Sequence, residues 1–139
     1  MTKDVLVTVS GVQTDVEETP IELVTLGTYY FKNGKHYVLY DEQAQEQDPI
    51  TKNTVKFYDG HFEMIKRGGA NSFLVFERGQ KTSSIYNTPF GPLQIDALTK
   101  ELDIQESEDE LQVYVKYNLD INHSFISECD VHFKVQARR

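Results

Sequence analysis

The sequence predicts a single all-β domain over residues 1–139, folded as a closed, meandering antiparallel barrel. Three observations predict it. Apolar and polar residues alternate with a period of two along most of the chain, as in strands that bury one face. Asn-Gly and Asp-Gly pairs each join two such runs, which is the strongest short-range hairpin signal. Turn signals recur roughly every 8–12 residues, which gives about 8–10 strands, and closure removes the two exposed sheet edges.

The first strands are the most regular. Val5, Val7 and Val9 share one face of an opening strand. Residues 21–32 then form the longest run rich in β-branched and aromatic residues, and Gly27 within it predicts a bulge or a sharp bend.

Two hairpins follow. Asn33-Gly34 predicts a type I′ turn because both residues tolerate a positive φ, and Asp59-Gly60 follows the same rule. Residues 42–48 are good helix formers without an apolar stripe, so they predict a solvated loop or one short turn.

The second half of the chain continues the alternation. Cys129 alternates with Val131 and Phe133, which predicts a buried structural thiol. The remaining predicted strands cover residues 72–77, 81–86, 93–98, 101–105, 111–119 and 126–135.

Composition limits the partners and the cellular location that are expected. The formal charge is −8, from 22 acidic and 14 basic residues. An acidic surface without a basic stripe repels phosphate backbones, so no nucleic-acid partner is expected. No run reaches the roughly 18 apolar residues of a spanning helix, and no membrane partner is expected. The start of the chain lacks a signal-peptide pattern and Cys129 has no second cysteine to bond, which predicts a cytoplasmic protein.

Several motifs occur together in a distinctive order, and the most distinctive is Tyr86-Asn87-Thr88-Pro89-Phe90-Gly91. The others are Ser10-Gly11-Val12-Gln13, Tyr37-Val38-Leu39-Tyr40-Asp41-Glu42, Thr54-Val55-Lys56, Arg67-Gly68-Gly69 and Ser72-Phe73-Leu74-Val75-Phe76-Glu77-Arg78-Gly79. Over nearly the whole chain this order resembles the YwiB-like family of uncharacterised bacterial proteins.

The resemblance implies a calycin-type, lipocalin-like barrel in the cytosol and no particular activity. True lipocalins usually carry a tryptophan in the first strand, and this chain has none. Their secreted transport role is therefore not carried over, since a fold alone does not give a function.

The sequence carries only weak signals for a metal site or a catalytic site. The four histidines are scattered without a ligand partner at metal-binding spacing, so no metal and no cofactor are expected. Ser72 follows a Gly-Gly pair, but no nucleophile elbow surrounds it. The acidic residues Glu106, Glu108, Asp109 and Glu110 indicate a solvated rim. An enzyme is therefore the least favoured class.

Polar residues on the central strands are the first candidate site. By alternation, Glu63 and Arg67 share a side with Ile65, Lys56 shares one with Thr54, and Glu42 follows Tyr40. Two placements stay open. These residues line the wet rim of the barrel, or they form a paired polar network inside it. In the second case, Arg67 with Glu42 or Glu63 would bind a small anionic or polar molecule.

Residues 86–92 are the second candidate. Two residues preceding proline favour extended backbone, so the segment turns the chain rigidly and folds Phe90 over one barrel end as a plug. Alternatively, it forms a ligand-facing lip in which Tyr86 and Phe90 are contacts and Asn87 is the polar group.

The sequence thus favours a non-enzymatic module that binds a small, partly apolar or anionic molecule in the barrel or at its mouth. The alternative is a protein-interaction or structural module, because Tyr29, Tyr30 and Phe31 cannot all enter one core, and a homodimer stays open. The candidate ligand-binding residues are Glu42, Thr54, Lys56, Glu63, Arg67, Ser72, Tyr86, Asn87 and Phe90.

Overall fold

The structure is a computed structural model that describes residues 3–13, 21–43, 45–69 and 71–138, and the regular structure in these ranges is entirely β-strand. No helix among them has the length and hydrophobicity to cross a bilayer. The ten strands are β1 (Asp4–Gln13), β2 (Ile21–Lys32), β3 (Lys35–Glu42), β4 (Thr51–Tyr58), β5 (His61–Gly68), β6 (Ser72–Glu77), β7 (Lys81–Thr88), β8 (Gly91–Glu106), β9 (Glu110–Ile121) and β10 (Ser124–Ala137).

The strands form one antiparallel sheet in which sequence neighbours pair except β6 and β7, and β1 also pairs with β10. The sheet therefore wraps around until its two edges, β6 and β7, meet in a seam. Across this seam the Thr82 hydroxyl donates to the carbonyl of Val75. Close by, Arg78 Nε donates to the Leu102 carbonyl over 2.9 Å. The predicted antiparallel meandering barrel is confirmed, and side chains span the seam that completes it.

The turns that join the strands differ in backbone type. Asn33 and Gly34 have φ values of 53° and 76°, which confirms the predicted type I′ turn. In the second hairpin only Gly60 takes a positive φ, of 76°, so that turn is a hairpin turn of another type. Asn122 and His123 both have positive φ, a feature of type I′ turns.

Strand β8 corrects one sequence expectation. Residues 93–98 and 101–105 belong to a single strand, and the register with β9 shifts between Thr99 and Glu101. A β-bulge absorbs the extra residue and bends the strand without ending it.

Gly27 corrects a second sequence expectation. Its pairing with Val5 and Tyr40 is regular, so the predicted bulge is wrong. A Cβ atom at Gly27 would lie 2.8 Å from both the carbonyl oxygen of Leu39 and a methyl carbon of Val7. Glycine occupies this position because the neighbouring atoms leave no room for a side chain.

The interior is filled unevenly. Phe57, Phe62, Phe76 and Phe133 are fully buried, and the ring centroids of Phe62 and Phe133 lie 5.5 Å apart. These rings fill the half of the barrel that contains the 59–60 and 78–80 turns, which we call the packed half. Toward the other end, the inner positions carry smaller or more flexible residues, such as Val9, Leu23 and Met64, that are only partly buried.

Candidate functional site

A cavity of about 520 Å³ lies in the unfilled half of the barrel. We call this end the mouth. It is formed where β1, β3, β5 and β9 end and where β2 and β10 begin. The apolar wall comes from Val9, Leu23, Met64, Leu119 and Val131, and the polar groups at the cavity include Glu42, Lys66, Tyr40, Tyr117, Cys129 and Asp130.

The cavity exists because of the residue sizes on β1. Its inner positions near the packed half are Val5 and Val7, which are fully buried, and they are followed toward the mouth by Val9 and Gly11. Glycine adds no side chain, so the wall recedes where the strand approaches the mouth. The space is therefore open at the mouth.

Two of the described residues that line the cavity form an ion pair. Lys66 Nζ lies 2.7 Å from Glu42 Oε1, and the two side chains are 30% and 37% exposed. Asn53 Nδ2 donates to the same carboxylate oxygen over 3.4 Å. The hydrogen bond from Lys66 lowers the pKa of Glu42, so its carboxylate is ionised at neutral pH. Both charges lie where the apolar wall meets solvent.

We expect acid to weaken the fold through this pair. Because the native pKa of Glu42 is lowered, its ionised form contributes stability that is lost as pH falls through that native pKa. Glu42→Gln should therefore reduce the loss of unfolding free energy between about pH 7 and pH 3, measured by urea denaturation. The control is Glu46→Gln in the exposed loop after β3. Equal acid sensitivity in wild type and Glu42→Gln would contradict the prediction.

Two tyrosines face the cavity below the ion pair. Burial raises the pKa of Tyr40, and the nearby charge of Glu42 raises it further. Burial is also the main cause that raises the pKa of Tyr117, which lies beside Cys129. Both hydroxyls are therefore neutral near pH 7 and able to donate or accept a hydrogen bond.

Cys129 is buried, as the sequence predicts, and its Sγ lies 3.3 Å from the Ser127 hydroxyl. Its inward direction follows from its alternation with Phe133 on β10. The thiol forms part of the cavity wall, which the alternation pattern alone did not indicate.

Of the candidate residues on the central strands, Glu42 lines the cavity and Arg67 does not. Phe57 pairs with Phe62 across the 59–60 turn, and both are fully buried. Paired residues share a face, so alternation along β5 places Met64 and Lys66 inside. Arg67 is consequently exposed on the outer face.

Glu63 also lies on the outer face, on the same side of β5 as Arg67. Its Oε1 is 2.7 Å from His61 Nε2, and the other ring nitrogen of His61 is 2.8 Å from Glu77 Oε1. On β4, alternation with buried Val55 places Thr54 and Lys56 outside as well. Of the two placements left open, the interior network does not apply to Thr54, Lys56, Glu63 and Arg67, because these four residues lie on the outer side of the sheet.

Ser72 is close to the ion pair. It is the cross-strand partner of Lys66, and its alternation with buried Phe76 puts it on the inner side of β6. Sequence reasoning included Ser72 but missed Lys66, which Ser72 neighbours.

Residues 86–92 contribute little to the cavity that the structure describes. Tyr86 is half-buried on β7, and the side chain of Asn87 lies outside the described residues. Phe90 is fully exposed, so the prediction that it plugs a barrel end is wrong. Phe90 lies in the two-residue turn before Gly91, and this turn directs the Phe90 ring away from the barrel interior.

Three comparisons agree on the family. The model of a domain of unknown function, DUF1934, matches residues 7–133. The uncharacterised β-barrel protein YwiB of Bacillus subtilis (strain 168) is 26% identical over 112 residues, covering 81% of this chain and 78% of that protein.

A crystal structure of the ywiB protein from Bacillus subtilis superposes with a TM-score of 0.81 at 22% identity. The superposition covers 99% of this chain and 93% of the other. The resemblance inferred from the motifs is confirmed, and the chain belongs to the DUF1934 family of YwiB-like β-barrel proteins, whose function is not known.

Proposed function

We propose that this protein is a non-enzymatic binding module that holds one small molecule at the mouth of its barrel. The carrying observation is the cavity of about 520 Å³, which has apolar walls and one ion pair at its edge. Ligand sites are commonly concavities of roughly 300–1,000 Å³, mainly apolar, with a few polar groups that fix orientation. The volume of this cavity lies in that range, and its lining likewise combines apolar walls with a few polar groups.

The arrangement suits a molecule with an apolar body and an anionic head group. The body would contact Leu23, Met64 and Val131, and each square ångström of apolar surface removed from water contributes roughly 25 cal/mol. The head group would bind Lys66 and take the place of Glu42 as its partner. Because Lys66 already has an anionic partner, the head group must exchange for an existing contact, which limits the net gain.

The probe for this proposal is anilinonaphthalene sulfonate (ANS), which joins aromatic rings to one anionic group. ANS fluorescence, excited outside the tryptophan band, should saturate with about one molecule bound per chain. Val9→Trp fills the cavity from β1 and should lower ANS affinity at least about tenfold, which corresponds to roughly 1.4 kcal/mol. The control Ile85→Trp adds the same ring to an exposed outer position on β7.

ANS affinity that is unchanged in Val9→Trp would overturn the proposal, since the dye would then bind elsewhere. An equal loss of affinity in Val9→Trp and Ile85→Trp would overturn it as well. Circular dichroism confirms that each variant keeps its strand content.

The cytoplasmic location is part of the same proposal. It is supported by the acidic composition and by the single cysteine, which is a free thiol in the structure.

A further inference from the structure

The outer face of the neighbouring strands β2, β1, β10, β9 and β8 carries a polar groove. Phe133 of β10 and Val113 of β9 are cross-strand partners and both are buried, so the residues beside them on each strand point outward. A concave space of about 430 Å³ lies over these outward residues. We call this space the outer groove.

Register arranges the polar side chains of the outer groove in two rows that cross the strands. Each residue of the first row is the cross-strand partner of the next, and the row is Glu22, Ser10, His132, Tyr114 and Asp103. The second row is built in the same way from Thr8, Lys134, Gln112 and Gln105. Because neighbouring strands are about 4.8 Å apart, the four steps of the first row extend over roughly 19 Å.

The groove is deepest over β1 because of side-chain size. Thr8 and Ser10 are the outward residues of β1 in the two rows, and both are short. The strands on either side carry longer groups, Glu22 on β2 and His132 and Lys134 on β10. A strand with short side chains between two strands with long ones leaves a depression in the outer surface.

Two aromatic rings form a fixed platform in the middle of the first row. The ring centroids of Tyr114 and His132 lie 4.6 Å apart, and the ring planes are nearly perpendicular. This is the edge-to-face arrangement that aromatic pairs prefer. Burial raises the pKa of Tyr114 to about 12, with a further contribution from Asp130, so the hydroxyl of Tyr114 is neutral.

The charges of the groove disfavour an anionic ligand. Glu22 and Asp103 are exposed at the two ends of the first row, and among the described residues neither takes part in an ion pair. Lys134 of the second row is already paired, since its Nζ lies 3.3 Å from Glu110 Oε1. A phosphate or carboxylate group would therefore meet two carboxylates and a lysine that has an anionic partner.

The uncharged side chains offer hydrogen bonds of both kinds. The amide of Gln105 and the hydroxyls of Thr8 and Ser10 can each donate and accept. Neither row contains an aliphatic or a phenylalanine side chain, in contrast to the apolar wall of the mouth. A matching ligand is therefore rich in uncharged groups that donate and accept. Sugars have this chemistry in their hydroxyls, and their C–H groups pack against aromatic rings.

We propose that the outer groove binds a neutral oligosaccharide. The ring pair of Tyr114 and His132 contacts the C–H face of one sugar ring. Glu22 and Asp103 accept hydrogen bonds from sugar hydroxyls toward the two ends of the first row. The groove lies on the outside of the barrel, so this site is independent of the small-molecule site proposed at the mouth.

The test is titration of the ¹⁵N-labelled full chain with maltopentaose, cellopentaose and N-acetylchitopentaose, followed by NMR chemical shifts. At least one of these sugars should shift the amide signals around Ser10, Tyr114 and His132 in a saturable way. Tyr114→Phe removes one hydroxyl and His132→Ala removes one ring, and each should raise the dissociation constant about fivefold or more. The matched control Tyr37→Phe, on the outer face of β3, should leave the constant unchanged.

Three results would overturn the proposal. The first is the absence of saturable shifts with all three sugars at millimolar concentration. The second is a set of shifts centred on Met64 and Leu119, since the sugar would then occupy the mouth. The third is an equal dissociation constant in wild type, Tyr114→Phe and His132→Ala. The dispersion of the amide signals shows that each variant is folded.

Discussion

Replacing Phe62 by alanine is expected to lower the free energy of unfolding by about 3–5 kcal/mol. Phe62 has no exposed surface and contacts Phe57, Phe76 and Phe133 in the packed half. Its removal leaves a cavity between the rings held by β4, β6 and β10. These strands cannot collapse into the space because their backbones are paired on both sides or tied at the seam. The loss therefore includes the cavity cost as well as the transfer term.

Urea denaturation followed by circular dichroism measures this change. The matched control is Phe125→Ala, because Phe125 is 59% exposed near the start of β10. Surface substitutions of this kind usually change stability by less than about 0.5 kcal/mol. A loss for Phe62→Ala no larger than that for Phe125→Ala would contradict the packed half as the main source of stability.

Replacing Lys66 by methionine is expected to weaken ANS binding about tenfold or more. A hydrogen bond to a charged group contributes roughly 1.5–3 kcal/mol, and about 1.4 kcal/mol corresponds to a factor of ten in affinity. Methionine keeps most of the length of lysine and removes the charged ammonium group with its hydrogen-bond donors. It also leaves the ionised Glu42 without its cation, and this carboxylate would repel an anionic head group.

Two further variants make the expectation specific. Arg67→Met removes a cation from the adjacent position on the outer face of β5 and should leave ANS affinity unchanged. Glu42→Gln releases Lys66 from its 2.7 Å ion pair and should strengthen binding. Equal effects of Lys66→Met and Arg67→Met, measured by fluorescence titration, would show that the probe responds to overall charge and not to the mouth.

The sequence of β5 determines which of its two faces points into the barrel, although the pattern is easy to misread. Ile65 and Met64 are both apolar, so alternation alone allows either Arg67 or Lys66 to point inward. The Asp59-Gly60 hairpin resolves the choice. A two-residue turn makes Phe57 and Phe62 partners, and two large aromatic partners predict the buried face. Lys66 follows Phe62 by four residues and lies on that face.

Other parts of the site could be identified only from the three-dimensional fold. Glu42 and Lys66 are separated by 24 residues and lie on strands that flank β4. Tyr117 and Cys129 join them from β9 and β10, which reach the same interior only because β1 pairs with β10. No local pattern indicates which strands will meet across a barrel, because this depends on the order in which the whole sheet closes.

By itself the sequence determined the strands, most of the turns, the antiparallel meander and the family, since alternation and turn chemistry act over a few neighbouring residues. Only the tertiary structure decided that β6 and β7 meet in a side-chain seam, that β8 continues through a bulge, and that the mouth is hollow. The physical reason is that side chains from many strands together enclose a cavity. Its volume depends on how the inner side chains fill one shared space, and no single strand contains that information.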